Sequence, residues 1–422
     1  MTPARLGAPA GRGDGSRGRF TVRPMAEGEL EAFLRCGQHA FSEAPTPTAL
    51  ERERLALEGE RAWVAVDRGE VVGTAAALAL QMTVPGTVLA MAGVTGIGVL
   101  PSHRRQGVLR SLMRRQLDDL HAGGEAVAAL YASESGIYRR FGYGQAGEDC
   151  HFSIPTAHAR LTDPPVAAGR MRMVADPVGA VAGLAAGYDR ACGGRPGMIR
   201  RSERWWRWWW ADLTAEEPAP LLLAVHEDAG DVDGYVLYRV TSRWELGQPA
   251  GVLNVRELVG ATAAVELALW EFCLGMDLVT EVESWHRPPD DPLRWVLAEP
   301  RRLRVTVRDG LWVGLVDCAR ALAGRRYAVE DRLVVDVSDE GCPWNAGRYQ
   351  LEAGPDGAVC RRTRRSAMLE LDTAALASAF LGASRLAWLA RAGCVRERVA
   401  GAAARADRLL GWPVAPWSAE LF

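Results

Sequence analysis

One short segment limits what this chain can fold into more than any other. Gly93 to Leu100 is a run of strand-forming residues that stops at Pro101. From about Gly107 to Ala122 the apolar residues Val108, Leu109, Leu112, Met113, Leu117 and Leu120 recur at helical spacing. Between the two lies Ser102-His103-Arg104-Arg105-Gln106-Gly107. A strand that enters a helix through such a turn leaves the first N–H groups of the helix unpaired. Those groups point, with the positive end of the helix dipole, at whatever lies before the helix. Gly107 lets the backbone approach a bound group closely, and Arg104 and Arg105 add charge-assisted contacts to an anion. A basic turn ahead of a core helix could carry the same residues. The preceding strand Ile97-Gly98-Val99 and the amphipathic helix that follows favour a cradle for pyrophosphate.

The elements around this segment read as one α/β unit. Phe20 to Met25 predicts a strand, and Glu29 to Arg35 a helix. Arg61–Val66 and Glu70–Leu80 are strands split by Asp67-Arg68-Gly69, and Met82–Leu89 extends the run as a hairpin through Pro85-Gly86. Ala126 to Tyr131 closes an order β-α-β-β-β-α-β, a mixed α+β sheet with helices packed on it. The unit is expected over 19–154. A second α/β unit is expected over 155–300, with strands at Leu221–His226, Gly234–Val240 and Leu253–Leu258 and a helix at Ala263–Leu274. Its turn reads Gly260-Ala261-Thr262-Ala263, without arginine, so a duplicated unit here has lost the cradle. A third unit is expected over 301–422. It opens with a hairpin of Arg304–Arg308 and Leu311–Leu315 about Asp309-Gly310 and ends in an extended arm from Trp412 to Phe422, where two prolines forbid a regular helix.

Composition narrows the function classes. The chain has 422 residues, enough for roughly two to four domains without a disulfide or metal staple. Its 50 basic and 52 acidic residues nearly cancel, so nothing calls for nucleic acid or an anionic membrane. The eight cysteines stand at 36, 150, 192, 273, 318, 342, 360 and 394, with no CxxC pair, and read as reduced thiols of a cytoplasmic protein. The histidines form no metal-binding cluster, so no metal is expected. No stretch reaches the roughly 18 apolar residues of a membrane span. Residues 1–18 lack an apolar signal core and read as a disordered tail.

A second string is more specific. Ala132-Ser133-Glu134-Ser135-Gly136-Ile137-Tyr138-Arg139-Arg140-Phe141-Gly142-Tyr143-Gly144 lies about one helix downstream of the turn. The turn resembles the acetyl-CoA motif of GCN5-related N-acetyltransferases, Arg/Gln-x-x-Gly-x-Gly/Ala, at Arg104 and Gly107, with Leu109 departing from the small consensus residue. The two strings together resemble the enhanced-intracellular-survival family, multi-acetylating aminoglycoside acetyltransferases. That resemblance implies two tandem acetyltransferase folds, the second without cofactor, and a C-terminal domain like a sterol carrier protein. It implies acetyl-CoA as cosubstrate, a cationic amine as acceptor and a homo-hexamer.

The resemblance also assigns residues. Ile97 and Val99 would meet the pantetheine through their backbone. Arg104, Arg105, Gln106, Gly107, Val108 and Leu109 would form the pyrophosphate loop, and Ser133 would lie near the cofactor. Tyr138 would be the general acid, a phenol able to return a proton to the thiolate. The carboxylate of Phe422 would act as base, directly or through water, since an α-carboxylate titrates at about 3.5. Phe41, Glu43, Gly96 and Leu421 fall on substrate-pocket positions. Gly96 replaces an aromatic residue and Leu421 an acid, with Glu420 one step earlier, which alters the range of acceptors expected. Tyr143 reads as structural. An alternative of a different class is a non-catalytic acyl-CoA or lipid-binding sensor, and within the enzyme class polyamines and lysine side chains are alternative acceptors.

Two conspicuous runs are assigned to structure. Trp205-Trp206-Arg207-Trp208-Trp209-Trp210 could cage a cation, but Ser202 before it predicts a capped helix whose tryptophans pack in an interface. Arg361-Arg362-Thr363-Arg364-Arg365 reads as a solvated face.

Overall fold

The computed structural model describes residues 20–44, 46–177, 179–213 and 219–422. The tail expected over 1–18 lies outside them. Among the described residues the strands form three large sheets and one two-stranded ribbon. The first part of the chain contributes β1 (Thr21–Pro24), α1 (Leu30–Ala40), α2 (Pro47–Ala56), β2 (Ala62–Asp67), β3 (Glu70–Val84), β4 (Thr87–Val99), α3 (Val108–Ala122), β5 (Val127–Tyr131), α4 (Ser135–Tyr138) and β6 (Tyr143–Gln145). β3 and β4 make one long hairpin about Pro85-Gly86, with Gly86 at φ +70°. α2 is an addition to the expected order; its charged residues carry no apolar stripe that a sequence pattern could reveal. α3 buries Val108, Leu112, Met113, Leu117 and Leu120 against Trp63, Val72 and Ala75 of the sheet. β4 and β5 run parallel but pair only at Met91–Val127, Ala92–Ala128 and Gly93–Ala129. Past Gly93 they part, leaving that edge of β4 unpaired.

The second sheet takes β7 (Glu148–Pro155), β8 (Arg170–Val174), β9 (Leu222–Asp228), β10 (Asp231–Thr241), β13 (Gly251–Gly260), β14 (Val279–Arg287) and β15 (Arg304–Asp309), in the order β15-β7-β14-β13-β10-β9-β8. A ribbon of β11 (Trp244–Glu245) and β12 (Gln248–Pro249) extends from β10. The helices are α5 (Val181–Cys192), α6 (Glu203–Leu213), α7 (Ala263–Leu274) and α8 (Leu293–Val296). The parallel pair β13–β14, joined through α7, repeats the β4-α3-β5 arrangement. The helix entrances differ. Thr262 caps α7 by accepting a hydrogen bond from the Val265 N–H at 3.3 Å, whereas Gly107, the N-cap of α3, has no side chain to offer.

The hairpin expected at Asp309-Gly310 does not form. β15 joins the second sheet on β7, and the next strand, β16 (Leu311–Leu315), crosses to the first sheet between β5 and β6. The residues explain the split. All five residues of β16 are buried, which suits a strand enclosed on both faces, whereas β15 is mostly exposed and ends a sheet. The first sheet therefore runs β1-β2-β3-β4-β5-β16-β6.

The remaining elements are α9 (Cys318–Gly324), β17 (Asp331–Ser338), β18 (Gly347–Gly354), β19 (Gly357–Arg362), β20 (Leu369–Asp372), α10 (Thr373–Ala379), α11 (Leu386–Arg391), β21 (Val395–Glu397) and α12 (Ala402–Leu410). The sheet order is β19-β18-β17-β20-β21. α10 packs on β6 and β16, so the C-terminal sheet and its helices share one apolar core with the other two. After α12 the chain runs without regular structure to Phe422.

Candidate active site

The fork between β4 and β5 opens onto a cavity of about 780 Å³. A bulge aims β4 at it: Thr74 pairs with Gly98 and Ala76 with Thr95, so Gly96 and Ile97 face Ala75 alone. Gly96 takes φ +60° and its carbonyl accepts a hydrogen bond from Thr74 Oγ1 at 2.8 Å. At the mouth of α3, Gly107 sits at φ +89° and Arg105 at φ +62°. A Cβ on Gly107 would meet no atom of the chain within 4 Å, so the backbone angle, rather than crowding within the chain, is what calls for glycine.

Ile97, Val99, Arg104, Arg105, Gly107, Val108, Leu109, Ser133, Tyr138 and Phe41 line this one cavity. Gln106 does not; its amide donates to the Ser102 carbonyl at 3.0 Å and stiffens the turn. Arg104 donates to the Ala40 carbonyl at 2.7 Å, tying the turn to the end of α1. Arg110 and Arg140 also line the cavity, and neither they nor Arg105 has an ion pair among the described residues. An uncapped helix N-terminus ringed by arginines is an anion site. The sequence reading missed Arg110 and Arg140, although Arg140 lies inside the second string and Arg110 directly follows Leu109. His103, also on the cavity wall, lies 3.2 Å from Asp67.

Tyr138 ends α4 and is buried. Burial pushes its phenol above the ordinary value; a hydrogen bond with Ser133 partly offsets this, and the nearby Glu134 charge adds to it. Tyr143 meets its ring edge-on at 6.3 Å and is fully buried, filling the space beside Gly314 where a Cβ would come within 2.9 Å. That is the structural part expected of it.

Phe422 reaches the same fork from the other end of the chain. Its ring lies beside Gly93 and meets Tyr131 edge-on at 5.7 Å. Phe422 and Leu421 line a second cavity of about 320 Å³ together with Arg52, Glu53, Thr95 and Trp208. Glu43 and Gly96 line neither cavity: Glu43 is exposed after α1, and a Cβ on Gly96 would press on Phe33 at 3.2 Å. Arg52 and Glu53 lie on α2, which no sequence signal announced.

The tryptophan run forms α6, and Ser202 accepts a hydrogen bond from the Trp205 N–H at 3.2 Å as expected. A cation does occupy its aromatic cage, but it belongs to the chain. The Arg201 guanidinium lies 3.9 Å from the Trp209 ring, 4.1 Å from Tyr188 and 4.4 Å from Trp206. It is fully enclosed and pairs with Glu257 at 2.6 Å and with Glu420 of the C-terminal arm.

Comparison with known proteins gives these features a family. Residues 21–146 match an acetyltransferase (GNAT) domain, residues 197–316 a second acetyltransferase (GNAT) domain, and residues 318–419 a sterol carrier protein domain. An N-acetyltransferase of Streptomyces coelicolor is 40% identical over 349 residues, covering 82% of this chain and 84% of the relative. N-acetyltransferase Eis of Mycobacterium tuberculosis is 36% identical over 344 residues, covering 78% of this chain and 80% of the relative. The crystal structure of Eis1 from Mycobacterium abscessus superposes with a TM-score of 0.84 at 34% identity, over 95% of this chain and 100% of that one. A GCN5-related N-acetyltransferase from Anabaena variabilis, 20% identical, shares the fold at a TM-score of 0.82 over 96% of this chain and 100% of that one. With its two acetyltransferase domains and C-terminal sterol-carrier-like domain, this chain is an N-acetyltransferase and belongs to the Eis family.

Proposed function

We propose that this enzyme transfers the acetyl group of acetyl-CoA to a primary amine of a cationic, aminoglycoside-like small molecule. The observation that carries the reading is the juxtaposition at the β4–β5 fork: an uncapped, arginine-ringed helix entrance, an open strand edge and a buried phenol share one cavity. The first N–H groups of α3, with Arg105 and Arg110, hold the pyrophosphate. The unpaired edge of β4 at Ile97 and Val99 takes the pantetheine as an added strand would be taken. The amine attacks the thioester carbonyl, so a C–N bond forms and the C–S bond breaks. Tyr138 gives its phenolic proton to the departing sulfur, and the Phe422 carboxylate takes the amine proton, directly or through water.

The second cavity, with Glu53 and Phe422 on its wall, is the acceptor side. Leu421 lines it without the acidic side chain of the family, and Gly96 on β4, outside both cavities, lacks the family's aromatic one, so we expect a correspondingly different acceptor range. We further infer a cytoplasmic homo-hexamer; the free cysteines accord with a reducing compartment. Among the described residues no helix is long and apolar enough to cross a membrane, and no group of three potential ligands gathers to hold a metal.

Thiol release from acetyl-CoA, measured with aminoglycosides, polyamines and lysine peptides, tests the reading. Turnover with aminoglycosides supports it. Turnover confined to polyamines or lysine peptides moves the acceptor class, and tight acetyl-CoA binding without turnover of any amine replaces it with a sensor. Light scattering of the purified protein tests the hexamer, which a monomeric mass would refute.

A further inference from the structure

The second acetyltransferase-like domain holds the C-terminal arm in the place where its own fork would hold a ligand. β13 and β14 pair as far as Val255–Ser284 and then diverge, as β4 and β5 do. Arg287 reaches across the gap to the Leu258 carbonyl at 2.5 Å, and Trp417 of the arm lies over its guanidinium at 5.7 Å. The arm is held almost residue by residue. Arg195 donates to the Ala415 carbonyl at 2.7 Å, and the Trp417 N–H donates to Pro196 O at 2.9 Å. His286 Nε2 donates to the Ser418 carbonyl at 2.8 Å. Glu420 ends the series, bonded to Arg201, to Trp205 Nε1 at 2.8 Å and to the Tyr188 hydroxyl at 3.2 Å.

We propose that this domain is the socket that sets the position of the terminal carboxylate, with Arg201 and Glu420 as positioning residues for the acetyl transfer. The geometry is specific. Glu257 takes one edge of Arg201, two tryptophans and a tyrosine enclose its faces, and the remaining Nε is left for Glu420. A planar guanidinium so held has one orientation, unlike an ammonium. Only Leu421 separates Glu420 from Phe422, so fixing Glu420 fixes where the chain ends. The proposal rests on the catalytic part assigned above to the Phe422 carboxylate.

The test uses the full-length protein with Glu420→Ala, Glu420→Gln and Arg201→Lys. The first readout is release of Phe422 by carboxypeptidase A from the folded protein. Glu420→Ala should speed release roughly tenfold or more, because local opening limits access to a docked terminus. The second is steady-state kinetics: kcat should fall roughly tenfold to a hundredfold while KM for acetyl-CoA holds within about twofold, since misplacement of a reacting group by an ångström has effects of that size. Glu420→Gln, which keeps the acceptor for Trp205, should recover part of both. Arg201→Lys should resemble Glu420→Ala if it folds; the Glu420 variants decide the matter if it does not. Unchanged protection of Phe422 would overturn the proposal, and so would a freed Phe422 with unchanged kcat. Parallel losses of kcat and of acetyl-CoA affinity would mark a merely structural role and overturn it as well. If the wild type acetylates no amine, the functional reading fails, while the protease readout still decides whether the socket exists.

Discussion

Phe422 lays its ring against Gly93, the last residue through which β4 pairs with β5. A Cβ at position 93 would stand 3.2 Å from the ring and 2.6 Å from a methyl of Leu80. Glycine at this point gives the chain terminus room to reach the crotch of the fork. Gly93→Ala should therefore push Phe422 outward. The Leu80 methyl can rotate away, so the fold should survive with Tm lowered by no more than a few degrees, about 1 kcal/mol. We expect kcat to fall roughly tenfold with KM for acetyl-CoA little changed. Equal activity in Gly93→Ala would show that the terminus does not need this contact.

Gly107 makes a different demand. Its φ of +89° is costly for any other residue, yet the space around it is open. Gly107→Ala should cost about 1–2 kcal/mol of backbone strain without a clash. The strain falls on the turn ahead of α3, so affinity for acetyl-CoA, measured by calorimetry, should drop roughly tenfold while kcat at saturation changes less. Undiminished affinity would exclude this turn from the cofactor site.

The raised pKa of Tyr138 has a sign that can be tested. Burial favours the neutral phenol, so the acid form persists above the ordinary value of about 10. The rate should rise with pH as the acceptor amine loses its proton and should show no alkaline fall from Tyr138 below about pH 10. Tyr138→Phe should lower kcat by roughly a hundredfold or more and spare KM for acetyl-CoA. A decline centred between pH 7 and 9 that disappears in the variant would contradict the assignment.

Gly144 joins the first sheet to the C-terminal domain. A Cβ there would fall 2.0 Å from the Ala374 carbonyl oxygen and 2.7 Å from the Ser378 nitrogen, both backbone atoms of α10. Backbone cannot yield as a flexible side chain does. Gly144→Ala should force α10 off β6 and destabilise the protein by about 2–3 kcal/mol or more. Thermal unfolding would reveal this as a Tm lowered by several degrees; an unchanged Tm would mean that the two domains are not rigidly docked.

Sequence alone determined the features whose causes are local. The run from Ile97 to Leu109 specifies strand, stop, basic turn and helix, and the structure places nearly all of its expected ligands around one cavity. Ser202 announced a helix start for the same reason, since a cap and its N–H partner lie three residues apart. The tertiary structure alone decided the pairings between distant residues. Leu311–Leu315 leaves its neighbour strand for another sheet because an all-apolar strand needs cover on both faces, which it finds between β5 and β6 of the first sheet. Arg201 finds Glu420 across 219 positions, and no periodicity encodes such a partner. The smaller cavity likewise gathers Glu53, Thr95, Trp208 and Phe422 from four separate stretches. Local chemistry wrote the arginine-lined cleft into adjacent residues, whereas the path of the C-terminal arm depends on burial and charge pairing that exist only once three domains share a core.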